Sequence, residues 1–569
     1  MNSNRLILYM ISLLVVFSIL IYRLMDIQLF NTEHFGEANV NLLQESTLQR
    51  TSKIELSDGR GLIVDRYGNP MNKKVEKDVV MFPFINEVEE IKNVLKEIIG
   101  VDQSVWNDWF SKEEEAFFLT DKGYNLTEEQ LDRIDKASFP GVMVVKKESL
   151  PDRESIPHLI GMTGEGEESF LSSNETELHG ISGLEAAFDR FLASEETQTA
   201  QYHIDAMGNP LLGLGMRLTD IGNPFYPLSI TTTIDMKLQQ KLHAILQDMG
   251  IIEGGVVLLD VKSREVLAMI SRPDISVTEL YEEQKSIKNR MLTSYPPGSI
   301  FKTVIAAAAI ENYPGLLKTK FDCNKSLYGT GEDARKLGLL SFEDSFAQSC
   351  NYTFAETARK LIKLDNEVIE NYANKLGLIN PVGWEGKVYH YKNFRQIPEE
   401  ERGNVWGADS DRSVPRAISQ TAIGQKNVKV TPLSIANMMA TIADDGVIKQ
   451  VRAVQRITYE NNTELHSFES DSSQALSGVT ALKLQELLEK VVDEGTGRQL
   501  SALPIAGKSG TAETGKEGVN HYWFAGYFPR EEPEYAMAVV ELNQRRDEQQ
   551  IYTLYAHLAQ EVLRHKMKD

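Results

Sequence analysis

The chain has only two cysteines in 569 residues, Cys323 and Cys350. Two cannot make the disulfide framework of a small secreted domain. They are able to form one bond in an extracytoplasmic setting, but read first as two small, partly buried side chains. Histidine is sparse as well: ten residues and no His-Glu-x-x-His pattern, so metal-assisted hydrolysis has no support. Lone residues such as His179 and His521 read as surface or structural histidines. Positive charge is in deficit, with 60 Lys and Arg against 82 Asp and Glu and a net charge of −22. That balance argues against a nucleic-acid partner, which needs a basic surface. No low-complexity tract or solenoid repeat is visible. What remains is ordinary for a globular protein, 42% hydrophobic and 25% charged, and the length leaves room for several domains and a large core.

One long apolar run stands out. Leu6 to Tyr22 carries no charged residue and is flanked by Arg5 and Arg23. Seventeen helical residues span about 26 Å, near the lower limit for crossing a bilayer once the arginines snorkel. A cleaved signal peptide would have a shorter apolar region and a small-x-small cleavage site, which is not evident. No cysteine follows that would direct lipoprotein processing. The run therefore reads as an uncleaved signal anchor over residues 5–25. Residues 1–4 form a cytoplasmic tail on the weak positive bias of Arg5 and the terminal amine, and the bulk of the chain lies outside the cell membrane.

The most informative stretch is Ser299-Ile300-Phe301-Lys302. A Tyr295-Pro296-Pro297-Gly298 turn precedes it, and the apolar run Thr303 to Ile310 follows, which reads as a helix start. Residues three apart share a helix face, so Ser299 and Lys302 are neighbours on the first turn of a buried helix. A serine hydroxyl needs a base beside it to become a nucleophile. A lysine serves as that base only if burial or a nearby cation lowers its pKa. On its own Ser-x-x-Lys is a weak signal, since an N-capping serine followed by a helical lysine gives the same tetrapeptide. The second motif, Ser349-Cys350-Asn351, begins 50 residues later, although Ser172-Ser173-Asn174 also fits Ser-x-Asn. The third, Lys508-Ser509-Gly510-Thr511, reads locally as a strand end or turn. Specificity comes from the order and context of all three.

Together they resemble the active site of the penicillin-binding proteins and serine β-lactamases. Tyr295-Pro296-Pro297-Gly298-Ser299-Ile300-Phe301-Lys302 is similar to Tyr-x-Pro-Gly-Ser-x-Phe-Lys of the transpeptidases. Ser349-Cys350-Asn351-Tyr352-x-Phe354 is similar to their Ser-Cys-Asn-x-x-Phe. Ala422-Ile423-Gly424-Gln425, Val430-Thr431-Pro432-Leu433, Glu494-Gly495-Thr496-Gly497 and Trp523-Phe524-Ala525-Gly526-Tyr527 are further landmarks in the expected order. Upstream, Gly59 to Asn69, His158-Leu159-Ile160-Gly161, Gly183-Leu184-Glu185 and Asp205-Ala206-x-Gly208 resemble the non-catalytic domain of class B, monofunctional members.

The resemblance implies an α+β fold. An antiparallel sheet covered by helices, with a helical subdomain, would fill residues 226–569, after an elongated mixed α/β pedestal of the dimerisation type over residues 26–225. Read directly, residues 255–261 and 265–271 are strands of a hairpin around Lys262-Ser263-Arg264. Strands are also expected over 523–527 and 535–542. Helices are expected over 87–99 (capped by Asn86), 126–136, 236–249 and 549–565.

The implied chemistry is D,D-transpeptidation in peptidoglycan synthesis. Ser299 is the nucleophile and Lys302 its base. Ser349 and Lys508 relay a proton, and Asn351 orients Lys302 and the substrate amide. Ser509, Gly510 and Thr511 bind the substrate with Lys508, and the backbone N–H groups of Ser299 and Thr511 form the oxyanion hole. The partners implied are stem peptides of nascent, lipid II-derived glycan, β-lactams as inhibitors and a membrane glycosyltransferase; no cofactor or metal is implied. Ser509 replaces the threonine of many relatives without losing the hydroxyl. Tyr328-Gly329-Thr330-Gly331 and Leu337-Gly338-Leu339 stand where relatives often have a second cysteine and a His-Gly pair, which argues against a family-type disulfide. The region before residue 226 lacks the acidic signature of a glycosyltransferase. Alternatives are a D,D-carboxypeptidase or β-lactam-hydrolysing enzyme with the same site, a β-lactam sensor, and a catalytically dispensable scaffold of a division or sporulation complex.

Overall fold

The computed structural model describes residues 3–32, 35, 41, 50–113, 115–149, 157–165, 178–193, 197–205, 211, 215–219, 225–275, 287–333 and 335–566. The Ser172-Ser173-Asn174 decoy and most of the Asp205-Ala206-x-Gly208 landmark lie outside them. The chain divides into two compact units that interleave in sequence. One comprises residues 1–59, 75–149 and 196–223; the other comprises 60–74, 150–195 and 224–569. The sequence reading places a single boundary at 225/226, whereas residues 60–74 and 150–195 group with the larger unit.

In the first unit, helix Ser3–Met25 continues through a π-helical turn, Asp26–Phe30. Residues Ile7–Phe30 form a helix long and apolar enough to cross a membrane. Strands Thr51–Ser57, Gln198–His203 and Met216–Thr219 form one antiparallel sheet, and Lys74–Met81 runs between Phe117–Phe118 and Val142–Ser149 in another. Val80, Phe82, Leu95, Trp106 and Leu119 are fully buried among them. The expected helix over 87–99 is Glu89–Ile99, with Val88 at its N-cap and no side-chain cap. Asn86 instead belongs to a preceding 3-10 turn, and its side chain accepts a hydrogen bond from Trp106 Nε1 at 3.0 Å. The helix expected over 126–136 is Glu128–Ala137, fixed at its start by a Thr127/Gln130 capping box.

The second unit is built on a five-stranded antiparallel sheet of β1 (Gly254–Asp260), β2 (Val266–Arg272), β3 (Ala506–Glu513), β4 (Val519–Phe528) and β5 (Tyr535–Arg545), in the order β2-β1-β5-β4-β3. The β1–β2 turn forms because the Asp260 carboxylate accepts the backbone N–H groups of Lys262 and Ser263. Alternating side chains feed opposite faces. Val256, Leu258, Phe524 and Val539 pack with α1 (Met236–Asp248) and the C-terminal helix Ile551–Lys566. Val257, Leu259, Trp523 and Val540 join the larger core on the other face. That core holds α2 (Lys302–Asn312), α3 (Phe342–Ala347), α4 (Asn351–Leu364), α5 (Pro415–Ala422), α6 (Pro432–Ala443) and α7 (Gly478–Asp493). Every residue of α6 is buried and Ala306–Ala309 of α2 are completely so. The small side chains of α2 let it lie close against α4 and α7, while α6 packs on β1, β4 and β5.

The reading of the cysteines is corrected. Cys323 and Cys350 are bonded to each other, at a Cα–Cα separation of 6.0 Å, and are 1% and 2% exposed. Burial was foreseen; the bond was not, because a sequence separation of 27 says nothing about whether two Cβ atoms face each other.

Candidate active site

The segment before Ser299 is clamped on three sides. Tyr295 and Val430 exchange backbone hydrogen bonds, Trp523 Nε1 donates to the Pro296 carbonyl at 3.1 Å, and Gly298 N donates to the Gly424 carbonyl at 3.0 Å. Gly298 has a φ of +55°, and a Cβ there would lie 2.2 Å from the Thr511 carbonyl oxygen. Only glycine permits this approach of the turn to β3. Gly298–Phe301 is then a 3-10 turn that runs into α2, with the Lys302 backbone N–H bonded to the Ser299 carbonyl. In such a turn residues i and i+3 eclipse, which puts Ser299 and Lys302 side by side. Ser299 is half-buried at the mouth of a cleft, and Lys302 is completely buried beneath it.

Lys302 Nζ lies 2.9 Å from Ser349 Oγ, and donates to the Ser349 carbonyl at 2.8 Å and to Asn351 Oδ1 at 2.7 Å. The Phe354 ring covers it, 5.6 Å from ring centroid to nitrogen. Ser349 sits between α3 and α4 with a φ of +55°, a left-handed backbone rare for a side chain of this kind, and Asn351 opens α4. The motif is held in place covalently through Cys350. Burial and the neighbouring charges of Lys508 and Arg335, opposed only by Asp333, hold the Lys302 amine well below the usual lysine range.

Lys508 enters from β3. It is completely buried, donates to the Ser509 carbonyl at 3.1 Å and lies 5.8 Å from the Phe346 ring centroid. Burial, then the charge of Arg335, lowers it to about 7. Along β3, Lys508 and Gly510 are buried while Ser509 and Thr511 turn outward. Gly510 leaves no room for a side chain: a Cβ would sit 2.4 Å from the Pro297 carbonyl oxygen. As the end strand of its sheet, β3 leaves one row of backbone groups unpaired by neighbouring strands. Gln425 partly occupies that edge, donating to the Thr511 carbonyl and accepting from Glu513 N.

The cleft has a volume of about 560 Å³ and is lined by Ser299, Ser349, Asn351, Ser509, Gly510 and Thr511, six of the eight residues expected. The other two, Lys302 and Lys508, lie beneath its floor. Arg335, Thr496 and Tyr552, none of them assigned a role from the sequence, also line the cleft. Arg335 reaches in from a loop and carries no motif. Tyr552 comes from the C-terminal helix. Thr496, seen only as a landmark, is 2.8 Å from Ser509 Oγ. His521 is buried, accepts from Asn543 N at 3.2 Å and packs edge-on against Tyr295. Among the described residues no group of three or more His, Cys, Asp or Glu is arranged to hold a metal.

Residues 254–563 match the family described as the penicillin binding protein transpeptidase domain, and residues 56–223 match the penicillin-binding protein dimerisation domain. The chain is 24% identical over 562 residues to Stage V sporulation protein D of Bacillus subtilis, covering 91% of this chain and 79% of that one. It is 27% identical over 363 residues to the peptidoglycan D,D-transpeptidase PbpA of Mycolicibacterium smegmatis, covering 57% and 70% respectively. In fold it is similar, with a TM-score of 0.65 at 21% identity, to a chain solved in a study of structural coordination of polymerization and crosslinking by a peptidoglycan synthase complex; the match covers 99% of this chain and 98% of that one.

Proposed function

We propose, for a chain that belongs to the penicillin-binding protein transpeptidase family, that Ser299 carries D,D-transpeptidation of peptidoglycan stem peptides through an acyl-enzyme. The observation that carries this reading is the Lys302 amine: completely buried, bonded to Ser349 and Asn351, and one 3-10 turn from Ser299. Lowering the amine well below the usual lysine range favours its unprotonated form, and that form accepts the Ser299 hydroxyl proton as the oxygen attacks the carbonyl of the penultimate D-alanine. The backbone N–H groups of Ser299 and Thr511 stabilise the oxyanion. Their proximity across the Gly298–Thr511 contact supports that role.

Ser349 Oγ, 2.9 Å from the Lys302 amine, returns the proton to the departing D-alanine amine, with Lys508 beneath it. The outward hydroxyls of Ser509 and Thr511 bind the substrate carboxylate. The unpaired edge of β3 accepts the substrate backbone as an added strand, close against Gly510. The acyl group then passes to an amine on a second stem peptide. A β-lactam opens on Ser299 in the same way and leaves a stable adduct. The apolar helix anchors the chain in the cell membrane with its N-terminus inside, and a membrane glycosyltransferase supplies nascent glycan. The similarity to a synthase-complex chain supports that partnership.

The test is product analysis with a donor stem peptide, with and without an acceptor amine. Cross-linked dimer that requires the acceptor is expected. Release of D-alanine with no dimer would replace this reading by a carboxypeptidase.

A further inference from the structure

The geometry points to Arg335 as a positioning residue for this reaction: its guanidinium holds the Gln348–Ser349 backbone so that Ser349 and Asn351 stay on the Lys302 amine. The inference rests on the proposed role of Ser299 and Lys302, and goes beyond the three motifs. Arg335 donates from one nitrogen to the Gln348 carbonyl at 3.0 Å and from another to the Ser349 carbonyl at 2.9 Å. The Ser349 carbonyl is also the oxygen that Lys302 Nζ reaches at 2.8 Å. One carbonyl thus receives the guanidinium on one side and the candidate base on the other.

The turn being held needs holding. Ser349 is one of the non-glycine residues with a left-handed backbone, φ +55°, a conformation that persists only when its surroundings over-determine it. Here three restraints converge: the Cys323–Cys350 bond, the Lys302 contacts and the Arg335 fork. The fork is itself braced, since Asp333 accepts the Arg335 backbone N–H at 2.9 Å, lies 3.6 Å from its Nε and is tied by its own N–H to the Asn324 carbonyl. The loop that carries Arg335 starts at the bonded Cys323, so motif and fork share one anchor.

The guanidinium also brings a permanent charge to the cleft. The charged groups acting on Lys302 are Lys508 from β3 and Arg335 and Asp333 from the loop; the one acting on Lys508 is Arg335. A lysine in place of Arg335 would keep the charge but not the two-carbonyl fork, and alanine would keep neither.

The test uses the full chain in detergent, with Arg335→Ala, Arg335→Lys and Ser299→Ala. The acylation rate by a fluorescent penicillin is followed against pH, beside the melting temperature. For Arg335→Ala the expected result is a rate loss of about 10²-fold, as for a small misplacement of catalytic groups. Its acid limb should move to higher pH, because losing a cation raises the proton affinity of Lys302. Arg335→Lys should recover the position of the limb and only part of the rate. A wild-type rate and limb in Arg335→Ala would overturn the inference. So would a loss in both variants that tracks a fall in melting temperature with the limb unmoved. Persistent labelling of Ser299→Ala would instead overturn the underlying assignment of Ser299, which keeps the two failures distinct.

Discussion

Replacing Lys508 by methionine removes the ionisable group from a completely buried position while keeping most of the stem volume. In the folded chain Lys508 is lowered from 10.5 to about 7. A lysine with depressed proton affinity costs stability because the unfolded chain binds a proton that the folded chain resists. The penalty is absent well above 10.5, grows as pH falls and is complete below about 7. At about 1.4 kcal/mol per pKa unit the full penalty is about 5 kcal/mol. Between about pH 9.5 and pH 7 about 3 kcal/mol of it develops. Lys508→Met is therefore predicted to gain stability relative to wild type as pH is lowered through that window, by about 3 kcal/mol, whatever fixed amount it loses with the Ser509 contact. Denaturant unfolding of the solubilised chain at both pH values, followed by tryptophan fluorescence, measures the difference. A stability gap that does not change with pH would mean that Lys508 keeps its charge without cost, and would refute the electrostatics assigned to this cleft. The same variant should lose acylation by penicillin, with the acid limb of any residual activity displaced upward, because Lys508 is the first charge acting on Lys302 after burial itself.

Further outcomes are expected. Wild-type acylation should fall as pH is lowered, because protonation of Lys302 removes the base; a flat profile into the acid range would assign the proton to another group. Gly510→Ala forces a Cβ to within 2.4 Å of the Pro297 carbonyl oxygen, so it should destabilise by about 1–3 kcal/mol and abolish labelling at Ser299 by shifting the turn, as melting and penicillin binding would register. Cys350→Ser opens a loop of 27 residues and should lower stability by about 3–4 kcal/mol; unchanged denaturant midpoints with and without reductant would contradict the bond.

The three motifs were legible because each is short and local and because they stand in a recognisable order and context. Ser299 and Lys302 needed only a helical turn to meet. Lys508 and Gly510 needed only strand alternation to share a face. Their assembly into one cleft came from the family resemblance and the order of the motifs, since no local pattern brings residues 50 and some 200 positions apart together. Arg335 was missed for the complementary reason. It lies in an irregular loop, and its partners are backbone carbonyls, which any sequence offers. The cysteine bond was missed because the family pattern around it is absent here. The cap at Asn86 was misread because an asparagine beside a helix start competes with other acceptor roles, in this case for Trp106. The interleaving of the two units escaped because residues 60–74 carry a strand, Ile63–Val64, that pairs in parallel with Ser229–Thr232, a long-range partnership with no local mark.

The central claim, that Ser299 forms the acyl-enzyme, is tested most directly by intact-protein and peptide mass spectrometry after exposure to a penicillin. The account predicts one intact drug adduct per chain, located on Ser299 and absent from Ser299→Ala. An adduct on another residue, or one that survives the substitution, would contradict it.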